Sequence, residues 1–337
     1  MNYVVKGLNI VGLAAAVPKR EINLIDILGP DRQEFKSQLE RSARLSGVHS
    51  HRLAPDDLCA SDLCYESASR LIDDIGWNRE EISLLVFVSQ TPDYKIPSTS
   101  CILQERLGLN KNICVFDINL ACSGYTHGLW VVGKLLEGCG GGKGLLLVGD
   151  TLSKLIPEDD IHNRLLFGDA GSATAIEFNA TSSNAEFIMG VDGSGYTSVY
   201  MPNSSSRINQ SNDKFVMKGF DVFLFATRTI PSMIDKICKI SGIQFEDVGY
   251  YVLHQANKTM LETIREKVKI PKEKFIVNME GFGNTTSASI PLAIVLSKEN
   301  IFMSSQPILL VGIGAGLSWS SVILKDQHPK ILPLLEI

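Results

Sequence analysis

The chain has no cysteines spaced as Cys-x-x-Cys, no long apolar run and no excess of positive charge. Its seven cysteines (Cys59, Cys64, Cys101, Cys114, Cys122, Cys139 and Cys238) are scattered and odd in number. That pattern supports neither a zinc site nor a disulfide framework, so no metal is expected. Scattered reduced thiols fit a cytoplasmic protein. A net charge of −5 gives no reason to expect nucleic-acid binding. No apolar run approaches the ~18 residues that suggest a membrane span. Met1 to Val17 has no charged start leading into an apolar core and a small-residue cleavage site, so it reads as a first strand. Gly138 to Gly144 is glycine-rich but precedes a strand and has no GxxxxGK[ST] pattern, so it reads as a turn. Asn203 to Lys214 is polar and reads as a mobile surface loop near the join of two halves.

What is present is a core. Hydrophobic residues are 45% and charged residues 20% of 337 residues, enough for two domains or one large duplicated one. Short apolar runs read as buried strands at Leu84–Val88, Cys114–Ile118, Gly144–Val148, Ala173–Phe178, Tyr250–Leu253, Phe275–Val277, Ile308–Val311 and Ser320–Leu324. Helical spacing appears at Leu63–Ile75, Ser100–Leu107, Tyr125–Leu136, Asp221–Ser241, Lys258–Val268 and Ser287–Leu296. Continuous apolar strands alternating with helices argue for an α/β layered fold, its sheets covered on both faces. The order of elements occurs twice. Gln90 and Gln255 are 255 − 90 = 165 apart, and Gly149 and Gly312 are 312 − 149 = 163 apart. A near-constant offset across ordered blocks reads as a duplication.

Four strand ends carry chemistry. Cys122 follows the apolar run ending at Ile118 and precedes a helix, a position expected to lower a thiol pKa and favour the reactive thiolate. Taken alone, a free cysteine is more often buried and inert. His254 ends a strand in Tyr251-Val-Leu-His-Gln-Ala-Asn257, where α/β folds place their sites. Taken alone, such a residue is more often just a satisfied, half-buried histidine. Asn284 lies in a glycine-rich turn that could as well be a helix cap. Gly312 to Trp319 offers backbone N–H groups for an oxyanion hole, or is simply a tight turn. Cysteine, histidine and asparagine together fit a papain-like peptidase or acyl-thioester chemistry on Cys122.

The blocks Asp117-Ile-Asn-Leu-Ala-Cys-Ser-Gly124, Phe167-Gly-Asp-Ala-Gly-Ser-Ala173, His254-Gln-Ala-Asn257, Gly283-Asn-Thr-Thr-Ser-Ala-Ser-Ile-Pro291 and Gly314-Ala-Gly-Leu-Ser-Trp319 resemble those of the 3-oxoacyl-[acyl-carrier-protein] synthase III family. The resemblance runs over essentially the whole chain. It implies the thiolase fold, a duplicated α-β-α-β-α layered arrangement with two pseudo-twofold-related halves, here 1–180 and 181–337. It also implies a Cys122, His254, Asn284 triad and a homodimer. The expected activity is a Claisen condensation. Cys122 is acylated by an acyl thioester, with backbone N–H groups of Cys122, Ala315 and Gly316 holding the oxyanion. His254 and Asn284 then stabilise the enolate of a decarboxylating malonyl thioester. No cofactor is expected; acyl-CoA or acyl-carrier protein is a substrate. Lys258, Arg265, Lys267 and Lys269 give one helix a basic face that could dock an acidic carrier protein.

The sequence also departs from that family. An early Trp is missing, Ser46-Gly-Val-His49 replaces Thr-Gly-Ile-Arg, and Ile161, Thr259 and Ile313 stand where Arg, Arg and Phe are usual. These changes point to a specialised paralogue whose donor is an acyl-carrier protein or a differently held CoA thioester. Two further readings are acyl transfer to an oxygen or nitrogen without decarboxylation, and a non-catalytic partner subunit.

Overall fold

The computed structural model describes residues 2–23, 26, 36–204, 206, 214–297, 301–303 and 306–337. Most of the Asn203–Lys214 loop expected from sequence therefore lies outside the described residues. In chain order the strands are β1 (Asn2–Val5), β2 (Leu8–Val17), β3 (Glu21–Asn23), β4 (Ser50–Arg52), β5 (Ile82–Val88), β6 (Cys114–Ile118), β7 (Lys143–Asp150), β8 (Ala170–Phe178), β9 (Ala185–Val191), β10 (Val199–Tyr200), β11 (Val216–Met217), β12 (Tyr250–Leu253), β13 (Ile308–Gly314), β14 (Ser318–Leu324), β15 (Lys330–Ile331) and β16 (Leu335–Glu336). The main helices are α1 (Lys36–Ser46), α2 (Ala60–Asp74), α3 (Thr99–Arg106), α4 (Gly124–Gly138), α5 (Gly219–Ser241), α6 (Lys258–Val268) and α7 (Ser289–Val295).

Two sheets share one plan. The first runs β15-β2-β8-β7-β5-β6, and β16 also pairs with β2; the second runs β1-β9-β14-β13-β12. In the first, β7, β5 and β6 are parallel, and β8 runs antiparallel to both of its neighbours, β7 and β2. In the second, β13 and β12 are parallel, and β14 runs antiparallel to both of its neighbours, β13 and β9. β5 ends at Val88 and β12 at Leu253, a spacing of 253 − 88 = 165 residues. The chain ends cross over: β1 joins the second sheet, and β15 and β16 join the first.

The strand expected at Phe275–Val277 is reduced to a single parallel bridge, Phe275 to Tyr251. Its position beside β12 matches that of β6 beside β5. The ladder stops because Asn278 turns to its own partners: its N–H donates to the Gln255 side chain and its amide to the Ala293 carbonyl. The expected first strand is two strands, broken at Gly7, whose φ of 65° lies in the left-handed region.

The layers follow from which apolar faces meet. Tyr125, Leu129 and Val132 of α4 and Ile290, Leu292 and Ala293 of α7 share one core with Val86 and Val148 of the first sheet and Val252 and Leu310 of the second. α4 and α7 are therefore the central layer. Leu71 and Ile72 of α2 and Leu103 of α3 cover the outer face of the first sheet. Ile230 and Ile234 of α5 and Leu261 and Ile264 of α6 cover the outer face of the second. The result is α-β-α-β-α, with the C-terminal ends of β5, β7, β12 and β13 opening on one region, where α/β sheets place their sites.

Candidate active site

Cys122, His254, Asn284 and Ala315 line one cavity of about 80 Å³. Cys122, His254 and Ala315 follow the ends of β6, β12 and β13, and Asn284 lies in the turn before α7, which is why residues 193 positions apart in sequence (315 − 122) meet. Gly316 is not among the residues lining this cavity.

The glycine turn approaches the cysteine itself. A Cβ on Gly314 would sit 3.0 Å from the Cys122 nitrogen and 3.1 Å from its Cβ, and one on Gly312 would sit 2.7 Å from the Ser123 Cα. No side chain fits there, so β13 packs directly on the start of α4. A hydroxyl chain ties the two: Ser318 Oγ donates to the Ala315 carbonyl at 2.8 Å and sits 2.7 Å from Ser123 Oγ. Ser318 has spent its proton on Ala315, so Ser123 is the donor of the second bond.

The thiol is not acidified as expected from its place at a helix start. Burial, with a further push from the Asp150 carboxylate, raises Cys122 to about 12. Its own backbone N–H acts in the opposite direction and is the weaker influence. The correction has a simple cause. A helix terminus stabilises a thiolate by fractions of a charge, whereas an apolar pocket removes the solvation of a full one.

His254 is buried and neutral. Burial holds its pKa near 3, against a small upward pull from the Thr286 backbone. Its Nδ1 lies 2.6 Å from Ser289 Oγ, and the Gln255 N–H donates to that same hydroxyl. Ser289 is thus free to donate to Nδ1, and in that tautomer the ring proton lies on Nε2. Asn284 is similarly aimed. The Thr286 N–H donates to Asn284 Oδ1 at 3.0 Å, so the other amide atom, Nδ2, is the one left for a ligand. The Asn284 backbone pairs with the Phe167 loop: its N–H donates to Leu166 and its carbonyl accepts from Gly168.

The remaining wall is apolar, formed in part by Leu152, Phe167, Val199, Phe215, Met217 and Ile313. Most of it carries no signal in the sequence, because β10 and β11 are only two residues long each. A second cavity of about 280 Å³ shares Leu166 and Asn257 with the first, and Ser42, Ser46, His162 and Thr259 also line it. Three of the departures noted in sequence thus fall on these walls: Ser46, Thr259 and Ile313. Thr259 Oγ1 donates to the Leu45 carbonyl, tying α6 to α1. Ile161 packs against the core beneath α5 and α6.

Among the four basic residues of the expected docking face, Lys258, Lys267 and Lys269 are exposed and Arg265 is half-buried. Arg265 is paired with Glu262 and Glu266, and Lys267 donates to the Thr227 carbonyl of α5. Among the described residues no cluster of three or more His, Cys, Asp or Glu could hold a metal ion. No helix there is long and apolar enough to cross a membrane.

A thiol facing two neutral donors is suited to a thioester carbonyl, and on a duplicated five-layer fold it defines the class of thiolase-fold enzymes that carry acyl groups on cysteine. Comparison narrows the class. The model of 3-oxoacyl-[acyl-carrier-protein] synthase III matches residues 116–193, and that of its C-terminal part matches residues 238–326. A beta-ketoacyl-[acyl-carrier-protein] synthase III of Geobacillus kaustophilus is 31% identical over 95% of this chain and 99% of its own length. One of Staphylococcus saprophyticus is 35% identical over 86% of this chain and 92% of its own. The crystal structure of a 3-oxoacyl-(acyl-carrier protein) synthase from Burkholderia xenovorans superposes with a TM-score of 0.95 at 31% identity, covering 100% of this chain and 99% of that one. The chain belongs to the 3-oxoacyl-[acyl-carrier-protein] synthase III family.

Proposed function

We propose that this protein condenses an acyl thioester with a malonyl thioester through an acyl-Cys122 intermediate. The observation that carries the reading is the joint orientation of His254 and Asn284. Ser289 and Thr286 occupy Nδ1 and Oδ1, so Nε2–H and the Nδ2 amide are left to hold one oxygen.

In the first step the Cys122 thiol gives up its proton and its sulfur attacks the donor carbonyl. The Cys122–acyl bond forms as the donor's thiol leaves with a proton. The Cys122 and Ala315 backbone N–H groups hold the oxyanion, with Gly316 acting by shaping the turn. In the second step the malonyl thioester loses carbon dioxide, and the electron pair moves into an enolate whose oxygen accepts from His254 and Asn284. The enolate carbon attacks the acyl-cysteine carbonyl, forms the 3-oxoacyl thioester and returns the sulfur to Cys122. Electrons balance without a redox partner, because departing carbon dioxide supplies the carbanion.

A neutral His254 suits the role of donor. A histidine held near 3 is a poor general base at neutral pH but keeps its Nε2 proton. The thiol's high pKa implies that Cys122 loses its proton as the thioester binds, when the carbonyl can accept the sulfur's electrons. The apolar wall from Leu152 to Met217 would hold the acyl chain.

The same reading assigns the nucleophile to residues 1–180 and the two donors to residues 181–337. It includes an acyl-carrier protein as partner, with Lys258, at the start of α6, and Lys269, just after its end, as exposed cations that make no ion pair among the described residues. It also includes a homodimer, favoured by β6, an edge strand whose residues are exposed or half-buried. The test is incubation with malonyl-carrier protein and either acyl-CoA or acyl-carrier protein. Carbon dioxide release coupled to a 3-oxoacyl product supports the proposal; acyl transfer without carbon dioxide would show a non-decarboxylating acyltransferase.

A further inference from the structure

We propose that Asp150 is a positioning residue for the condensation step: its buried carboxylate sets the Thr286–Ser287 turn so that the Asn284 amide faces the cavity. The proposal rests on the condensation reading above.

Asp150 ends β7 and is 1% exposed. Its two oxygens face opposite halves of the protein. Oδ1 accepts from Ser89 Oγ at 3.1 Å and the Gln90 N–H at 2.7 Å, both at the end of β5. Oδ2 accepts from Thr286 Oγ1 at 2.5 Å and from the N–H and Oγ of Ser287 at 3.2 and 2.6 Å. All five partners are uncharged donors. A buried carboxylate without a cation is costly and persists where its hydrogen bonds are complete.

Those bonds hold a strained residue. Thr286 has φ of 48°, a left-handed conformation that a β-branched side chain resists. In that conformation its N–H points to Asn284 Oδ1, its carbonyl borders the His254 ring, and its hydroxyl reaches Asp150. One carboxylate thus links the strand end beside the nucleophile half to the turn that orients both donors.

Asparagine cannot replace it. An amide has one acceptor oxygen and one NH₂ group. Whichever way it turns, its NH₂ faces the Gln90 N–H on one side or the Ser287 N–H on the other, and a backbone N–H cannot reverse. Burial raises the Asp150 carboxyl above the usual range, against the hydrogen bonds from Ser287, Thr286 and Gln90 that favour its charged form, and in that form it has a second consequence at Cys122. The titratable groups near Asp150 are the neutral thiols of Cys64 and Cys122, and both are pushed up by it. His254, the other titratable group in the cavity, is neutral and does not offset it.

The test compares Asp150→Asn, Ser287→Ala and wild type in three measurements: acylation of Cys122, carbon dioxide release from malonyl thioester by the acylated enzyme, and the pH profile of Cys122 alkylation by iodoacetamide. For Asp150→Asn, condensation should fall about tenfold or more while acylation stays within about threefold, the scale set by one or two lost buried hydrogen bonds. Alkylation at a fixed neutral pH should rise about threefold or more, since the thiolate fraction grows tenfold per unit of pKa. Ser287→Ala should slow condensation and leave the alkylation profile unchanged. Wild-type condensation in Asp150→Asn, or an alkylation profile that coincides with wild type, overturns the proposal. If Asp150→Asn does not fold, Ser287→Ala must slow condensation more than Ser89→Ala; equal effects overturn it. A wild-type protein that forms no acyl adduct sinks the functional reading instead. The alkylation profile needs no thioester and would still decide the role of Asp150.

Discussion

Removing the Asn284 amide should separate the two steps of the proposed reaction. Asn284 is 5% exposed, and its Oδ1 is occupied by the Thr286 N–H, so Asn284→Ala deletes the one atom, Nδ2, available to the thioester oxygen. The turn keeps its other supports: the backbone bonds to Leu166 and Gly168 and the three bonds from Thr286 and Ser287 to Asp150. The lesion is therefore electrostatic more than structural. Loss of one preorganised donor to a developing oxyanion costs about 3–4 kcal/mol, or roughly a hundred- to a thousandfold in rate. In the proposed mechanism acylation makes no use of this amide, because its oxyanion is held by the Cys122 and Ala315 backbone N–H groups. Rapid-quench intact-mass measurement would follow acylation, and labelled carbon dioxide release by the pre-acylated enzyme would follow condensation. Acylation should stay within about threefold of wild type, while carbon dioxide release falls about a hundredfold or more. Condensation at the native rate would refute the assignment of Nδ2. An equal loss in both steps would refute the separation of the two oxyanion sites.

Three other outcomes follow from the geometry. In the unliganded protein, Cys122 alkylation should climb about tenfold per pH unit from 6.5 to 9 without a plateau, because burial holds the thiol near 12; a plateau near pH 7 would contradict this. Gly314→Ala places a Cβ 3.0 Å from the Cys122 nitrogen, and backbone there cannot give way cheaply; acylation should drop more than about tenfold with the melting temperature little changed, since a displacement of the nucleophile is enough for such a loss. His51 is fully buried, neither ring nitrogen makes a hydrogen bond of good geometry among the described residues, and burial followed by the nearby Arg164 lowers it to about 4 against an upward pull from the Phe167 backbone. The unfolded chain therefore binds the extra proton between about pH 4 and 6.5, and stability falls as pH drops through that window, by at most about 3 kcal/mol from this group. His51→Leu should flatten the wild-type loss of melting temperature on acidification; an unchanged slope would show that other groups carry it.

The layered architecture is legible in the sequence because it rests on local pattern. Tyr250–Leu253, Cys114–Ile118 and Lys258–Val268 form where their apolar spacing places them, and the 165-residue offset recurs in the ends of β5 and β12. Cys122 and His254 are visible as strand-end residues, and Asn284 as part of the glycine-rich turn that opens α7, although the strand expected before it is only a bridge. Three kinds of information are not visible. Short strands such as β15 and β16 exist only because β2 offers an edge to pair with. β9 (Ala185–Val191), broken in pattern by Gly190, shows no clear run. The third is the environment of charge. A thiol at a helix start looks acidic, but its burial and the carboxylate behind it come from β7 and cannot be read from neighbours in sequence. Asp150 escapes notice for the same reason: its five partners lie 60, 61, 136 and 137 positions away. On α6, spacing shows four cations on one helix, but not that Arg265 and Lys267 already serve acidic neighbours and a carbonyl of α5.

The central claim is that Cys122 carries the acyl group into carbon–carbon bond formation. Its most direct test is a single-turnover chase. The protein is loaded with an acyl thioester, the adduct is located by peptide mass, and malonyl-carrier protein is then added. The expected result is an acyl mass on the Cys122 peptide that disappears as one equivalent each of carbon dioxide and 3-oxoacyl thioester forms, and no adduct in Cys122→Ala. An adduct on another residue, or one that leaves without carbon dioxide, would contradict it.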